Sequence, residues 1–332
     1  MKSKANIAVF VPHAGCPHRC SFCDQNTISG HGEAPTPQQV TAMLTQAVAE
    51  LNPNTQAEIA FFGGSFTAIP RLQMEALLSA AFPFVDGKQI TGIRCSTRPD
   101  AIDHDVLQTL QRYGVTAVEL GAQSMVDRVL SLNHRGHTAQ DVENACRLIR
   151  QYHMELGVQM MVGLAGADQE DDETTAKRLI ALQPDTVRIY PTLVLQHTCL
   201  ENWYREGRYI PPDLETTVER CAKLLQQFEQ ANVRVIKLGL HADAAVGVVA
   251  GPFHPALREL CESRLYYDKA NQLLCDGDRQ VTLRVHPTCV SKMVGQRRAN
   301  LERWAAEGRR VTVQGDPAVA PGEIQKGEIS CS

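Results

Sequence analysis

No stretch of this sequence is long and apolar enough to cross a membrane, and the run after Met1-Lys2-Ser3-Lys4 is too brief for a secretory signal core. The sequence therefore predicts a cytoplasmic protein with no membrane partner. A strong excess of either charge is also missing. The 33 Lys and Arg stand against 37 Asp and Glu, a formal net charge of −4. That balance excludes a global attraction to nucleic acid and confines any basic surface to a local patch. A disulfide framework is absent as well: outside one short loop the cysteines are scattered singly, as expected in a reducing compartment. At 332 residues, 43% of them hydrophobic, the chain has material for one large barrel or two domains.

What the sequence does hold is a dense group of thiols. Gly15-Cys16-Pro17-His18-Arg19-Cys20-Ser21-Phe22-Cys23-Asp24 sets three cysteines in a C-x3-C-x2-C spacing, just after the apolar run Ile7 to Val11. A loop this tight can aim three sulfurs at one cuboidal [4Fe–4S] centre, leaving the fourth iron without a protein ligand. Structural zinc wants four closed ligands, and fits only if His13, His18 or a distant residue supplies one. A disulfide leaves one of the three unpaired. The bland alternative, three ordinary small residues, sits poorly with the flanking glycine, proline and aromatic.

After this loop, 30–37 reads as a linker and Pro37 as the start of an amphipathic helix to about Leu51. Apolar runs then end near Phe62, Cys95, Leu120, Met161, Tyr190 and Leu238, with helical periodicity between them, as in 103–112, 139–152 and 170–182. Repeated β-then-α units imply parallel strands with right-handed crossovers, in a closed or partial barrel or in an open sheet. The distinctive residues decide for an α/β barrel. Nearly all of them follow directly on strands, on the one rim where barrel enzymes keep their chemistry. The expected division is a barrel over 1–243, a smaller C-terminal α/β appendage over 244–314, and a disordered Gly- and Pro-rich tail over 315–332.

Ile59-Ala60-Phe61-Phe62-Gly63-Gly64-Ser65-Phe66-Thr67 is a buried strand emptying into a glycine pair, which either lets backbone approach a ligand or makes a plain tight turn. A later strand ends at Gln123, with Arg135 twelve residues on in Asn133-His134-Arg135-Gly136-His137-Thr138. A guanidinium suits a carboxylate and Gln offers both donor and acceptor to a ribose, although such residues singly are more often surface groups. The acidic run Asp168, Glu170, Asp171, Asp172 and Glu173 suits a helix N-terminus and is read as capping.

The compact cysteine spacing with an aromatic before the last cysteine resembles the radical S-adenosylmethionine (SAM) superfamily. The resemblance implies a partial (β/α)6 barrel in which Cys16, Cys20 and Cys23 ligate a [4Fe–4S] cluster whose open iron binds the amino acid part of SAM. It implies that the reduced cluster cleaves SAM to a 5′-deoxyadenosyl radical, fed by an electron donor such as flavodoxin or ferredoxin. Phe22 carries over as the aromatic near adenine and cluster. Gly63 and Gly64 carry over as the loop at the SAM amino group, with Ser65 where the family usually has Glu, and Gln123 and Arg135 as further SAM contacts. Arg98-Pro99-Asp100, Glu119 to Ser124, Asn133 to Thr138, Ile189 to Val194 and Gly207-Arg208-Tyr209 are together similar, in order along the chain, to the radical SAM domain of the Elongator catalytic subunit. That likeness implies work on RNA, with transfer RNA as the expected partner. Two departures stand beside it: the first cysteine interval is shorter than in Elongator-type loops, and no acetyltransferase domain follows, so an identical carboxymethylation is not implied.

The segment 280–313 reads as strand, helix, strand, and resembles a KH-type RNA-binding module with Gly295-Gln296-Arg297-Arg298 at the position of its G-x-x-G turn, the last glycine being Arg298. Lys292, Arg297, Arg298, Arg303, Arg309 and Arg310 concentrate positive charge there, suited to phosphate contact or equally to a solvated helix face. Three functional readings follow: a radical SAM enzyme on transfer RNA, one on a small molecule in the manner of oxygen-independent coproporphyrinogen oxidase, or a non-catalytic iron–sulfur RNA-binding protein.

Overall fold

The computed structural model describes residues 3–11, 20–23, 34–240 and 246–327. Its strands in chain order are β1 (Ser3–Val11), β2 (Thr55–Gly63), β3 (Ile90–Thr97), β4 (Val115–Gln123), β5 (Glu155–Val162), β6 (Thr186–Pro191), β7 (Val194–Leu195), β8 (Arg234–Leu238), β9 (Val248–Ala250), β10 (Gln280–Val285), β11 (Arg310–Gly315) and β12 (Ile324–Lys326). One sheet takes the order β1-β2-β3-β4-β5-β6-β8, every neighbouring pair parallel. Each of the seven apolar runs supplies one of these strands. Spatial order follows chain order because each crossover adds its strand on the same side, and the sheet curls into a partial barrel.

Most of the longer helices between the strands begin where short polar residues cap them. Pro37–Glu50 opens with a capping box between Thr36 and Gln39, and Ala139–Gln151 with one between Thr138 and Asp141. The acidic run does what was expected of it: Asp168 accepts the Asp171 N–H at 2.9 Å at the start of Gln169–Ala181.

The two faces of the sheet differ in chemistry. Ile59 and Phe61, Ile93 and Cys95, Val118 and Leu120, Val158 and Met160, and Val187 and Ile189 point one way, into the main apolar core under the helices. In the opposite phase stand ions. Arg94 pairs with Glu58 at 3.1 Å, Glu119 at 3.0 Å and Glu155 at 3.3 Å, while Arg188 grips Glu119 through two bonds of 2.7 and 3.0 Å. This ladder ties β2 through β6 across the concave face, just below the strand ends that carry the distinctive residues. Its charges hold one another where a barrel interior would otherwise be apolar.

The smaller region packs β10 between β11, parallel to it, and β12, antiparallel. The expected boundary at 244 falls outside the described residues. The change of core comes later, within the helix Leu257–Leu273: Leu257 and Cys261 belong to the barrel core, Tyr266 and Ala270 to a second core with Val281, Leu283, Val285, Met293 and Trp304. The expected disordered tail is corrected as far as residue 327. Val319 is buried, Ile324 packs on the second core, and Lys326 clasps Asp278 at 2.7 Å, so the free edge of β10 recruits the segment despite its composition.

Candidate functional site

The second half of the cysteine loop is fastened to two other loops of the same rim. Ser21 donates its N–H to Asn133 O at 3.1 Å and its hydroxyl to Asn133 Oδ1 at 2.6 Å, and Ser21 O accepts the Leu200 N–H at 2.7 Å. Asn133 in turn donates to Val129 O at 2.8 Å and Ala165 O at 2.9 Å. One amide thus joins the cysteine loop, the turn after β4 and the turn after β5. Cys20 and Cys23 lie at the two ends of a tight turn closed by the Cys23 N–H on Cys20 O at 3.1 Å, Cys20 buried and Cys23 half-buried. Cys16 lies outside the described residues. Phe22 packs half-buried against Ala165, Val194, Leu200 and Tyr209, and Tyr209 donates its hydroxyl to Gly163 O at 2.7 Å.

From Cys20 the site runs on without a break. Arg135 Nη1 donates to Cys20 Sγ at 3.4 Å and Nη2 to Gly121 O at 2.6 Å. A Cβ on Gly121 would stand 3.1 Å from Gln123 Nε2, 3.3 Å from Arg135 Nη2 and 3.7 Å from Thr97 O, so glycine lets these groups converge. Gln123 ends β4 in the left-handed region (φ 65°), buried, its Oε1 accepting from Gln159 Nε2 at 3.1 Å. A non-glycine residue held there costs about 1 kcal/mol or more, which packing must sustain.

Ser65 is fixed in a relay of hydroxyls. Ala101 O can only accept, so Thr67 donates to it at 2.6 Å, Thr97 donates to Thr67 at 2.6 Å, and Ser65 donates to Thr97 at 2.8 Å. Ser65 Oγ itself accepts the Arg98 N–H at 3.1 Å. Its single proton is therefore committed, and it retains only acceptor capacity. Gly63, at φ 125°, acts through the backbone instead. A Cβ there would lie 2.3 Å from Val11 O, so glycine allows the end of β2 to close on the end of β1, where Gly64 N–H also meets Val11 O at 3.2 Å.

Two titratable groups beside the site are far from their ordinary behaviour. His137 is pushed down to about 4, by burial first and then by the Arg135 charge, so its ring is neutral at pH 7. Its Nε2 carries the proton to Ala122 O at 3.1 Å, leaving Nδ1 a buried acceptor with no partner among the described residues. Arg135 Nε is likewise buried and unpartnered there. Two cysteines on one turn, Cys20 against a guanidinium, with an orphaned donor and acceptor alongside, suit a thiolate-held cluster and a polar ligand on it.

Asp172 behind the β5 turn moves the other way. Burial raises it to about 7, against the opposing pull of Arg220 at 3.3 Å. A carboxyl raised in the fold holds its proton longer than in the unfolded chain, where 3.8 is ordinary. Its contribution is thus complete below that value and lost as pH rises through about 7. Between pH 5 and 8 the wild type is expected to lose about 3 kcal/mol relative to Asp172→Asn. Thermal melts of both proteins at the two pH values check this; a constant difference would show a carboxylate already ionised at pH 5.

The structure thus joins Cys20, Gly121, Gln123, Arg135 and Ser65 around one rim, with Gly63 setting the strand end beside it. Asn133, His137 and Thr97 do not stand out in the sequence as individual residues, although all three lie within or next to the motifs that do.

Comparison with known families agrees with this geometry. The model of the radical SAM superfamily matches residues 10–179, and that of the Radical_SAM C-terminal domain matches 184–267. The chain belongs to the radical SAM superfamily. Its cofactors are those of the superfamily, a [4Fe–4S] cluster and SAM. A tRNA uridine(34) acetyltransferase of Dehalococcoides mccartyi is 25% identical over 315 residues, covering 82% of this chain and 67% of that protein. Human Elongator complex protein 3 is 31% identical over 181 residues, 52% of this chain and 32% of its own length. The archaeal Methanocaldococcus infernus Elp3 with an N-terminal deletion superposes with a TM-score of 0.65 at 22% identity, covering 83% of this chain and 65% of that one, a likeness of fold. The chain thus spans from about a third to two thirds of the length of these relatives. No helix of the described residues is long and apolar enough to cross a membrane.

Proposed function

We propose that this chain is a radical SAM enzyme that modifies RNA, with transfer RNA as the substrate class and Cys16, Cys20 and Cys23 as the cluster ligands. The observation that carries the reading is the unbroken junction from Cys20 through Arg135 to Gly121, Gln123 and Ser65 at the strand ends. When bound, the two cofactors supply one-electron cleavage of SAM to a 5′-deoxyadenosyl radical. The chain's own residues hold and shape the site. Gln123 keeps an amide free beside Gly121 for a hydroxyl, Gly63 and Gly64 expose backbone, Ser65 offers a lone pair to an ammonium, and Phe22 walls the site with its apolar neighbours. The electron comes from a donor such as flavodoxin or ferredoxin, in the cytoplasm.

The RNA is read in part by the small C-terminal region. Gly295 to Arg298 forms the turn between the helices Val290–Val294 and Ala299–Ala306, with Arg297 and Arg298 exposed and both in the left-handed region (φ 52° and 66°). Lys292, Arg303 and Arg309 are matched by Glu262, Glu215 and Glu307. Among the described residues no carboxylate pairs with Arg297, Arg298 or Arg310, and these are the cations left for phosphate. The names of the relatives, a tRNA uridine(34) acetyltransferase and an Elongator subunit, support RNA as the substrate class.

The test is anaerobic reconstitution with iron and sulfide, then dithionite and SAM with and without total transfer RNA, following 5′-deoxyadenosine. Production stimulated by RNA, and lost to Arg297→Ala/Arg298→Ala, is the expected result. Production indifferent to RNA would transfer the chemistry to a small molecule, and none from a proven cluster would make the protein a non-catalytic RNA binder.

A further inference from the structure

Arg135 is buried, 7% exposed, and has no carboxylate counter-ion among the described residues. Its terminal nitrogens meet a backbone carbonyl, Gly121 O at 2.6 Å, and a sulfur, Cys20 Sγ at 3.4 Å. A guanidinium buried away from any anion is strongly unfavourable, so the position calls for negative charge at the sulfur. A thiol does not provide it, and a metal-bound thiolate does. The family resemblance implies Arg135 as a SAM contact, and a guanidinium suits the SAM carboxylate. One N–H of each terminal nitrogen is instead already engaged, one of them on a proposed cluster ligand, so the end of the guanidinium is turned toward the cluster and Nε is its unpartnered donor among the described residues.

We infer that Arg135 serves the cluster itself: its N–H···S bond and its charge neutralise the Cys20 thiolate and raise the cluster's reduction potential. The inference rests on the proposed reading of Cys20 as a ligand. Reduction adds one electron to the cluster. A fixed positive charge and a hydrogen bond at a ligand sulfur favour the more negative, reduced form, which is how protein groups shift such potentials. The geometry is held from outside the pair. Asn133, two residues before Arg135, binds Ser21, the residue after Cys20, through both its side chain and its backbone, so the guanidinium and the sulfur are carried on loops locked to each other. His137 adds no competing charge, since burial keeps its ring neutral. Arg135 is on this view a positioning and tuning residue, and SAM keeps Gln123 and the strand-end backbone as its contacts.

The experiment uses the full chain, reconstituted with iron and sulfide, and a dithionite redox titration followed by electron paramagnetic resonance without SAM. Arg135→Gln is expected to carry the same iron as wild type, to titrate at a more negative midpoint, and to bind SAM with an affinity changed less than threefold. Arg135→Lys, which keeps the charge, is expected to fall between the two. An unchanged midpoint with SAM binding weakened tenfold or more would overturn the inference and restore the carboxylate clamp. If Arg135→Gln takes up no cluster, wild-type protein labelled with 15N-arginine decides: a 15N coupling to the reduced cluster is expected in spin-echo modulation, and its absence would overturn the contact. A wild type that takes up no iron–sulfur cluster at all would instead refute the ligand assignment on which the inference rests.

Discussion

Cys20→Ala is expected to remove the iron–sulfur absorbance altogether and to take iron from about four per chain to the background level. The size of the effect follows from where the sulfur sits. Cys20 is buried at the strand-end rim, under the Arg135 guanidinium, on a turn whose next residue is tied to Asn133. With alanine there a cluster would keep only two of its three proposed protein ligands, and Arg135 would face an apolar methyl with no carboxylate paired to it among the described residues. Cys23→Ala is expected to act alike. Cys275→Ser, at an exposed cysteine of the small region, is expected to keep the full iron content. Iron analysis and visible spectra of the three variants check the assignment, which fails if Cys20→Ala retains the spectrum of the wild type. Cys95 makes a poor rescue ligand: it lies in the apolar core behind the sheet, where burial pushes its thiol up to about 12.

The barrel strands are legible in the sequence because a parallel strand packed beneath helices must carry apolar residues on that face, and each such run is long enough to stand out from its helical neighbours. The cysteine triplet, Gln123 and Arg135 stand out in the sequence because their spacing is short or their motif is rigid, and of these the structure brings Cys20, Gln123 and Arg135 together. What stays hidden depends on partners far away along the chain. Arg94, Glu119 and Arg188 look like surface charges until the curl of the sheet turns them toward one another. Arg135 stands out as a site residue because guanidinium binds carboxylate, yet its partner in the structure is a sulfur 115 positions earlier. β12 is invisible because three residues make no pattern, and only the open edge of β10 draws it into register.

Asn133 is the clearest of the hidden positions, and its removal is expected to have the second largest effect. Its side chain is fully buried, and every polar atom on it is used: Oδ1 accepts from Ser21 Oγ at 2.6 Å, and Nδ2 donates to Val129 O at 2.8 Å and Ala165 O at 2.9 Å. Asn133→Ala strands the Ser21 hydroxyl and the Ala165 carbonyl in a dry place, each costing about 1–3 kcal/mol where water cannot replace the lost partner, while Val129 O keeps the backbone N–H of residue 133 at 3.1 Å. A loss of about 2–4 kcal/mol is expected, large for a single substitution. The same change should release the cysteine loop from the turns after β4 and β5, so iron bound after reconstitution should fall further than the melting temperature of the apoprotein accounts for. Two comparisons separate these consequences. Ser21→Ala removes the hydroxyl and leaves the two carbonyl bonds of Asn133 intact, so it should cost less stability while still loosening the cysteine turn. In the Asn133→Ala background Ser21→Ala should cost almost nothing more, since its partner is already gone, and a double-mutant cycle measures that coupling. An Asn133→Ala protein that melts with the wild type and binds the same iron would mean that the cysteine loop is held by the backbone bonds of Ser21 alone.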